Sequence, residues 1–207
     1  MIVASGDPSD GLARLVAARP GLARAVAQRS LSEDFSRYHL RAVERASPLL
    51  RDLAPQWGHG DWHASNLTWS STGPKAVVAG VLDLGLANRT YAVHDLAVAL
   101  ERSTVDWLDL AGTGQIDADL EAVDALLDGY EEVQPLDEIE LAALVAVLPV
   151  VHFEYALSEV EYFAEVVQSP VNADLAYDGY FIGHARWFEE AAGSVLLEHL
   201  QRRARWC

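Results

Sequence analysis

The chain has 207 residues, half of them apolar, which is enough for a sizeable core and argues against extended disorder. Its 31 acidic and 15 basic side chains leave a net charge of −16, a field that repels phosphate backbones and makes nucleic acid a poor partner. The single cysteine, Cys207, excludes an intrachain disulfide framework and a cysteine zinc knuckle, and suits a reducing cytoplasm.

Residues 1–10 read as a loose start without the basic and apolar segments of a signal peptide. Apolar residues at helical spacing follow over 11–28, interrupted near Pro20. Ser30 with Glu33 has the form of a capping box, opening a helix that carries Phe35, Tyr38, Leu40, Val43 and Leu50 and ends before Pro55. Residues 57–70 lose periodicity and predict a loop running into a short strand at Leu67–Trp69. A turn at 70–74 then leads into a buried strand over Ala76–Leu84, so that the two strands form a hairpin.

Beyond Asp95 the pattern is helical: 96–102, 120–133, 136–148, 150–167 and 176–203. Breaks fall at Gly112–Gly114, Gln134-Pro135, Pro149 and Ser169-Pro170. The longest apolar run, Leu141–Phe153, is too short to span a membrane and reads as a buried helix. The fold class is therefore mainly α with a small β-hairpin (α+β). One unit is expected over 1–207, with leading helices (1–56), a polar loop and hairpin (57–95) and a helical subdomain (96–207).

Polar chemistry is concentrated in His59, Asp61, His63, Asn66, Asp83, His94 and Asp95. Asp83 ends an otherwise apolar strand, where a carboxylate is costly unless paired or metal-bound. Phosphoryl transfer needs one carboxylate to orient a hydroxyl and take its proton, and an Asn oxygen plus a second carboxylate to hold Mg²⁺. Asp61, Asn66 and Asp83 have the spacing of such a set.

His59-Gly60-Asp61-Trp62-His63-Ala64-Ser65-Asn66 resembles the H-G-D-x-H-x-x-N loop of the aminoglycoside phosphotransferase and choline kinase-like family. Val81-Leu82-Asp83 is similar to that family's I-D-F strand end, Asp95-Leu96-Ala97 to its D-L-A helix start, and Asp128-Gly129-Tyr130 to a helical Gly-Tyr pair. The resemblance implies the helical C-terminal lobe of a protein-kinase-like fold. It further implies ATP and Mg²⁺ as cofactors, and a small-molecule hydroxyl acceptor that the acidic charge suggests is cationic. By the same resemblance Asp61 is the catalytic base, Asn66 and Asp83 are Mg²⁺ ligands, and His59 and Asp95 brace the loop. His63 either buttresses the loop or approaches the phosphates.

Plainer readings stand beside these. His59 also fits a core histidine, and Asp95 a carboxylate at a helix N-terminus. His94 and His152 read as structural, Trp57, Trp62 and Trp69 as packing residues, and Glu154, Glu159 and Glu161 as a solvated face before an acidic pocket. Gly60-Asp61-Trp62-His63 has the look of a dinuclear phosphoesterase segment, but no G-N-H-[ED] stretch follows it. The family's sheet lobe, with its Gly-rich turn and strand Lys, is not found in the 58 residues before His59, and the only lysine is Lys75. A truncated fragment, a partner chain supplying that lobe, or a catalytically impaired binding module are the expectations that follow.

Overall fold

The computed structural model describes residues 8–107 and 115–204, so the break expected at Gly112–Gly114 and Cys207 lie outside the described residues. The order is α1 (Pro8–Ala18), α2 (Pro20–Ala25), α3 (Leu31–Tyr38), α4 (Leu40–Arg51), β1 (Gln56–Gly58), β2 (Leu67–Trp69), β3 (Val78–Val81), β4 (Asn88–Thr90), α5 (Ala92–Thr104), α6 (Leu120–Glu131), α7 (Glu138–Val147), α8 (Phe153–Glu161), α9 (Pro170–Asp174), α10 (Gly183–Trp187) and α11 (Ala191–Ala204). The mainly helical α+β class is as the sequence predicts.

Pro20 has no N–H to continue α1, and it opens α2 at a position where none is needed. The single helix expected from Ser30 is instead two, α3 and α4, meeting at His39. There the buried imidazole Nε2 donates to the Phe181 carbonyl (2.8 Å) among the rings of Phe35, Phe153 and Phe181. Ser30 precedes the helix, but its side chain caps nothing; the capping box forms at Asp137 and Glu140, opening α7.

Helix α7 is apolar around its circumference because α4, α5 and α11 pack on it from different sides. Leu50, Leu100, Leu141, Leu144, Phe153 and Phe181 are fully buried there. The chain stays helical from Glu138 to Val167, passing Pro149 through a 3₁₀ turn and ending in a π-helical segment. That stretch is long and apolar enough to cross a membrane by length and composition, and half of its most apolar window is buried against this chain.

Two antiparallel pairs carry the loop. β2 and β3 form the expected hairpin. β1 pairs with β4, Gln56 opposite Thr90 and Gly58 opposite Asn88, a contact that three-residue strands do not announce in sequence. The strand expected to be buried over Ala76–Leu84 is shorter, Val78–Val81, and exposed: Val77, Val78, Val81, Leu82 and Leu84 are 42–64% accessible. Apolar β-branched residues set the strand, but among the described residues no helix covers that face. Trp57 (75% exposed) and Trp69 (49%) likewise pack less than expected, whereas Trp62 meets the His59 ring edge-on.

Candidate active site

The loop 59–66 is built largely from its own hydrogen bonds. Asn66 Nδ2 donates to the Asp61 carbonyl (2.9 Å) and to Asp61 Oδ2 (3.1 Å). His63 Nε2 lies 3.3 Å from the same Oδ2, and its Nδ1 is 2.7 Å from Ser65 Oγ. One carboxylate oxygen of Asp61 is thus held by two side chains, and Oδ1 takes no hydrogen bond among the described residues. Gly60 turns the chain at φ +82°, and a Cβ there would meet the Leu86 carbonyl at 2.4 Å, so only glycine fits.

His59 ties the loop to the hairpin. Its Nε2 donates to the Leu82 carbonyl (2.8 Å) while Nδ1 accepts from Asp61 N–H (3.2 Å), an arrangement that requires the neutral Nε2–H tautomer. The Leu82 amide in turn donates to the Asn66 carbonyl (2.8 Å). Asp83 is therefore one residue from a backbone stitched to both ends of the loop. It adopts the left-handed conformation (φ 53°), caps the 3₁₀ turn at 84–86 through Gly85 N–H, and leaves its carboxylate exposed. It makes no hydrogen bond to Asp61 or Asn66.

Asp95 sits in the first turn of α5 and does more than face the helix dipole. Its two oxygens accept from His59 N–H (2.5 Å) and Gly60 N–H (2.8 Å). Burial alone would raise its pKa, but His94 and these two amides outweigh burial and hold the carboxyl below its ordinary value. Asp95→Ala is expected to cost on the order of 2–3 kcal/mol by orphaning two amides. The check is chemical denaturation, with Asp52→Ala on the exposed α4 terminus as the neutral comparison.

Behind Asp61 a narrow cleft is lined by Glu101, Arg102, His152 and Tyr155, and those four also line a neighbouring cavity of about 360 Å³ with Asp106, Trp107, Glu159, Tyr180 and His184. Arg102 lies over the Tyr155 ring at 4.9 Å. Of the three glutamates of the acidic-face expectation, only Glu159 reaches this cavity; Glu161 pairs with Arg19. Burial, with Asp61 contributing, raises the Glu159 carboxyl above its usual range, and its Oε2 is buried without a hydrogen bond. His152, expected to be structural, faces the cavity. Glu101 and His184 were not picked out by sequence reasoning; the available signal was a glutamate on the apolar face of a helix, between Leu100 and Thr104.

A family model, the phosphotransferase enzyme family (APH), matches residues 4–136, more than half of the chain. The chain belongs to this family. The matched segment contains the loop, both strand pairs and α5, so the chain carries the family pattern over the elements that hold Asp61, Asn66, Asp83 and Asp95. Neither a curated protein nor a solved structure gives a significant match. Glu101 belongs to the matched part of the chain, whereas His152 and His184 lie beyond it.

Proposed function

We propose that this chain transfers a phosphoryl group from ATP, with Mg²⁺, to a hydroxyl of a small cationic acceptor of aminoglycoside-, choline- or homoserine-like chemistry. The observation that carries this reading is Asp61: one oxygen is fixed by His63 and Asn66, the other is unengaged, and the residue lines a narrow cleft adjoining the cavity that holds Asp106, Glu159 and aromatic rings. Acidic groups and aromatic faces suit an ammonium-bearing acceptor.

In this reading Asp61 accepts a hydrogen bond from the acceptor hydroxyl and takes its proton as the oxygen bonds to phosphorus and the bond to the departing ADP oxygen breaks. Asn66 Nδ2 and His63 keep the carboxylate in its rotamer. The donor set fits Mg²⁺: Asn66 Oδ1 is not engaged by any described residue, and Asp83 offers a second hard oxygen ligand. Bound Mg²⁺ would neutralise phosphate charge. His59 and Asp95 hold the two segments in register.

The exposed Leu82 and Leu84 that flank Asp83, with Val77 and Val78 of the same hairpin, suit the docking of a nucleotide-clamping sheet lobe, in this polypeptide or a partner chain. The proposal places the reaction in the cytoplasm, with neither nucleic acid nor membrane as partner. Asp83→Ala is expected to weaken Mg²⁺-dependent ATP binding by about tenfold or more, measured by calorimetry. Absence of Mg²⁺-dependent binding by the wild-type chain, alone and with a clamping lobe supplied, would overturn the reading. Acceptor binding without Asp61-dependent turnover would identify the catalytically impaired binding module instead.

A further inference from the structure

The wall of the cavity contains a second group of donors that the phosphotransfer reading does not use. Glu101 of α5, His152 just before α8 and His184 of α10 each offer one ligand atom, and the three atoms all lie within 4.8 Å of one another. Glu101 Oε1 is 2.7 Å from His184 Nδ1 and 3.5 Å from His152 Nδ1. Glu101 is 1% exposed, yet neither of its oxygens has an aligned hydrogen bond; the same holds for His184 Nδ1 and His152 Nε2. Four polar atoms without an aligned hydrogen bond in one buried cluster carry a desolvation cost that the contacts between Glu101 and the two histidines offset only in part.

We propose that Glu101, His152 and His184 form a binding site for a divalent metal of the zinc class, distinct from the Mg²⁺ ligands Asn66 and Asp83. Two imidazoles and one carboxylate are the donor set such an ion takes, and three protein ligands leave a fourth position for water or an acceptor atom from the cavity. A tetrahedral ion with bonds of about 2.0–2.1 Å spaces its ligands roughly 3.3 Å apart. The two separations from Glu101 to the histidines, 2.7 and 3.5 Å, bracket that value, and all three ligand atoms lie within 4.8 Å of one another. Trp107 stacks on the His184 ring at 3.6 Å, orienting that ligand, and donates through Nε1 to the main-chain carbonyl of Glu101. The ion would lock α5, the entrance to α8 and α10 together.

The test is equilibrium dialysis of the full chain against Zn²⁺ alone, with Co²⁺ as the spectroscopic probe. The wild type is expected to take up one equivalent and to give the strong visible absorption of four-coordinate Co²⁺. Glu101→Gln and His152→Asn should each lose that equivalent, whereas His199→Asn and Asp83→Asn should keep it. The His152 side chain is less buried than that of Glu101 (11% against 1% exposed), so its variant remains informative if Glu101→Gln fails to fold by circular dichroism. No uptake by the wild type, uptake unchanged in a folded Glu101→Gln or His152→Asn, or loss with Asp83→Asn would each overturn the site. None of these readouts depends on phosphotransfer.

Discussion

Asp61→Asn is expected to lower phosphoryl transfer by roughly 10²–10⁴-fold while leaving acceptor affinity little changed. Asparagine preserves the shape of the side chain and can still meet Asn66 and His63 through its oxygen. What it loses is the unengaged carboxylate oxygen that would receive the hydroxyl proton. Because the loop is held by the Asn66, His59 and Asp95 contacts, the substitution should not unfold it. Steady-state kinetics with a hydroxylated amine separates the two effects. A fall in kcat with unchanged KM fits the proton-accepting role. A rise in KM alone would reduce Asp61 to a binding group.

Acidification from pH 7 to pH 4 is expected to remove about 3 kcal/mol of stability through His39 alone. Burial lowers the pKa of this imidazole from 6.5 to about 4, against the opposing pull of its bond to Phe181 and of Asp34; His152 adds to the lowering. The unfolded chain therefore binds a proton on His39 near pH 6.5 while the folded chain resists until about pH 4. The contribution is fully present above 6.5 and is lost as pH falls through that window. Nδ1 has no hydrogen-bond partner among the described residues, so a proton there would be buried unpaired. His39→Gln removes the titration while keeping a donor for Phe181. Urea titrations across this pH range should show a shallower decline for the variant. Parallel declines would assign the acid sensitivity to other groups. Glu101 acts in the same direction at lower pH, between about 4.5 and about 2.

What the sequence alone determined is the part governed by near neighbours. The loop His59–Asn66 folds on itself, with Asn66 and His63 both reaching Asp61 over two to five residues, so its residue types and spacing carry its geometry. The helices follow from apolar period and from Pro20, and the hairpin from two short apolar runs around a turn.

Three features were decided by tertiary packing. Asp95 serves the loop because α5 brings it to residues 35 and 36 positions earlier in the chain. The strand at Val78–Val81 has a buried strand's composition, yet is exposed, because accessibility depends on what packs against a face and not on the residues in it. Glu101, His152 and His184 come from three separate helical segments and meet only when α5, α8 and α10 close around one cavity. No local pattern reports such a meeting, since the free energy that enforces it is the burial of the apolar faces on either side.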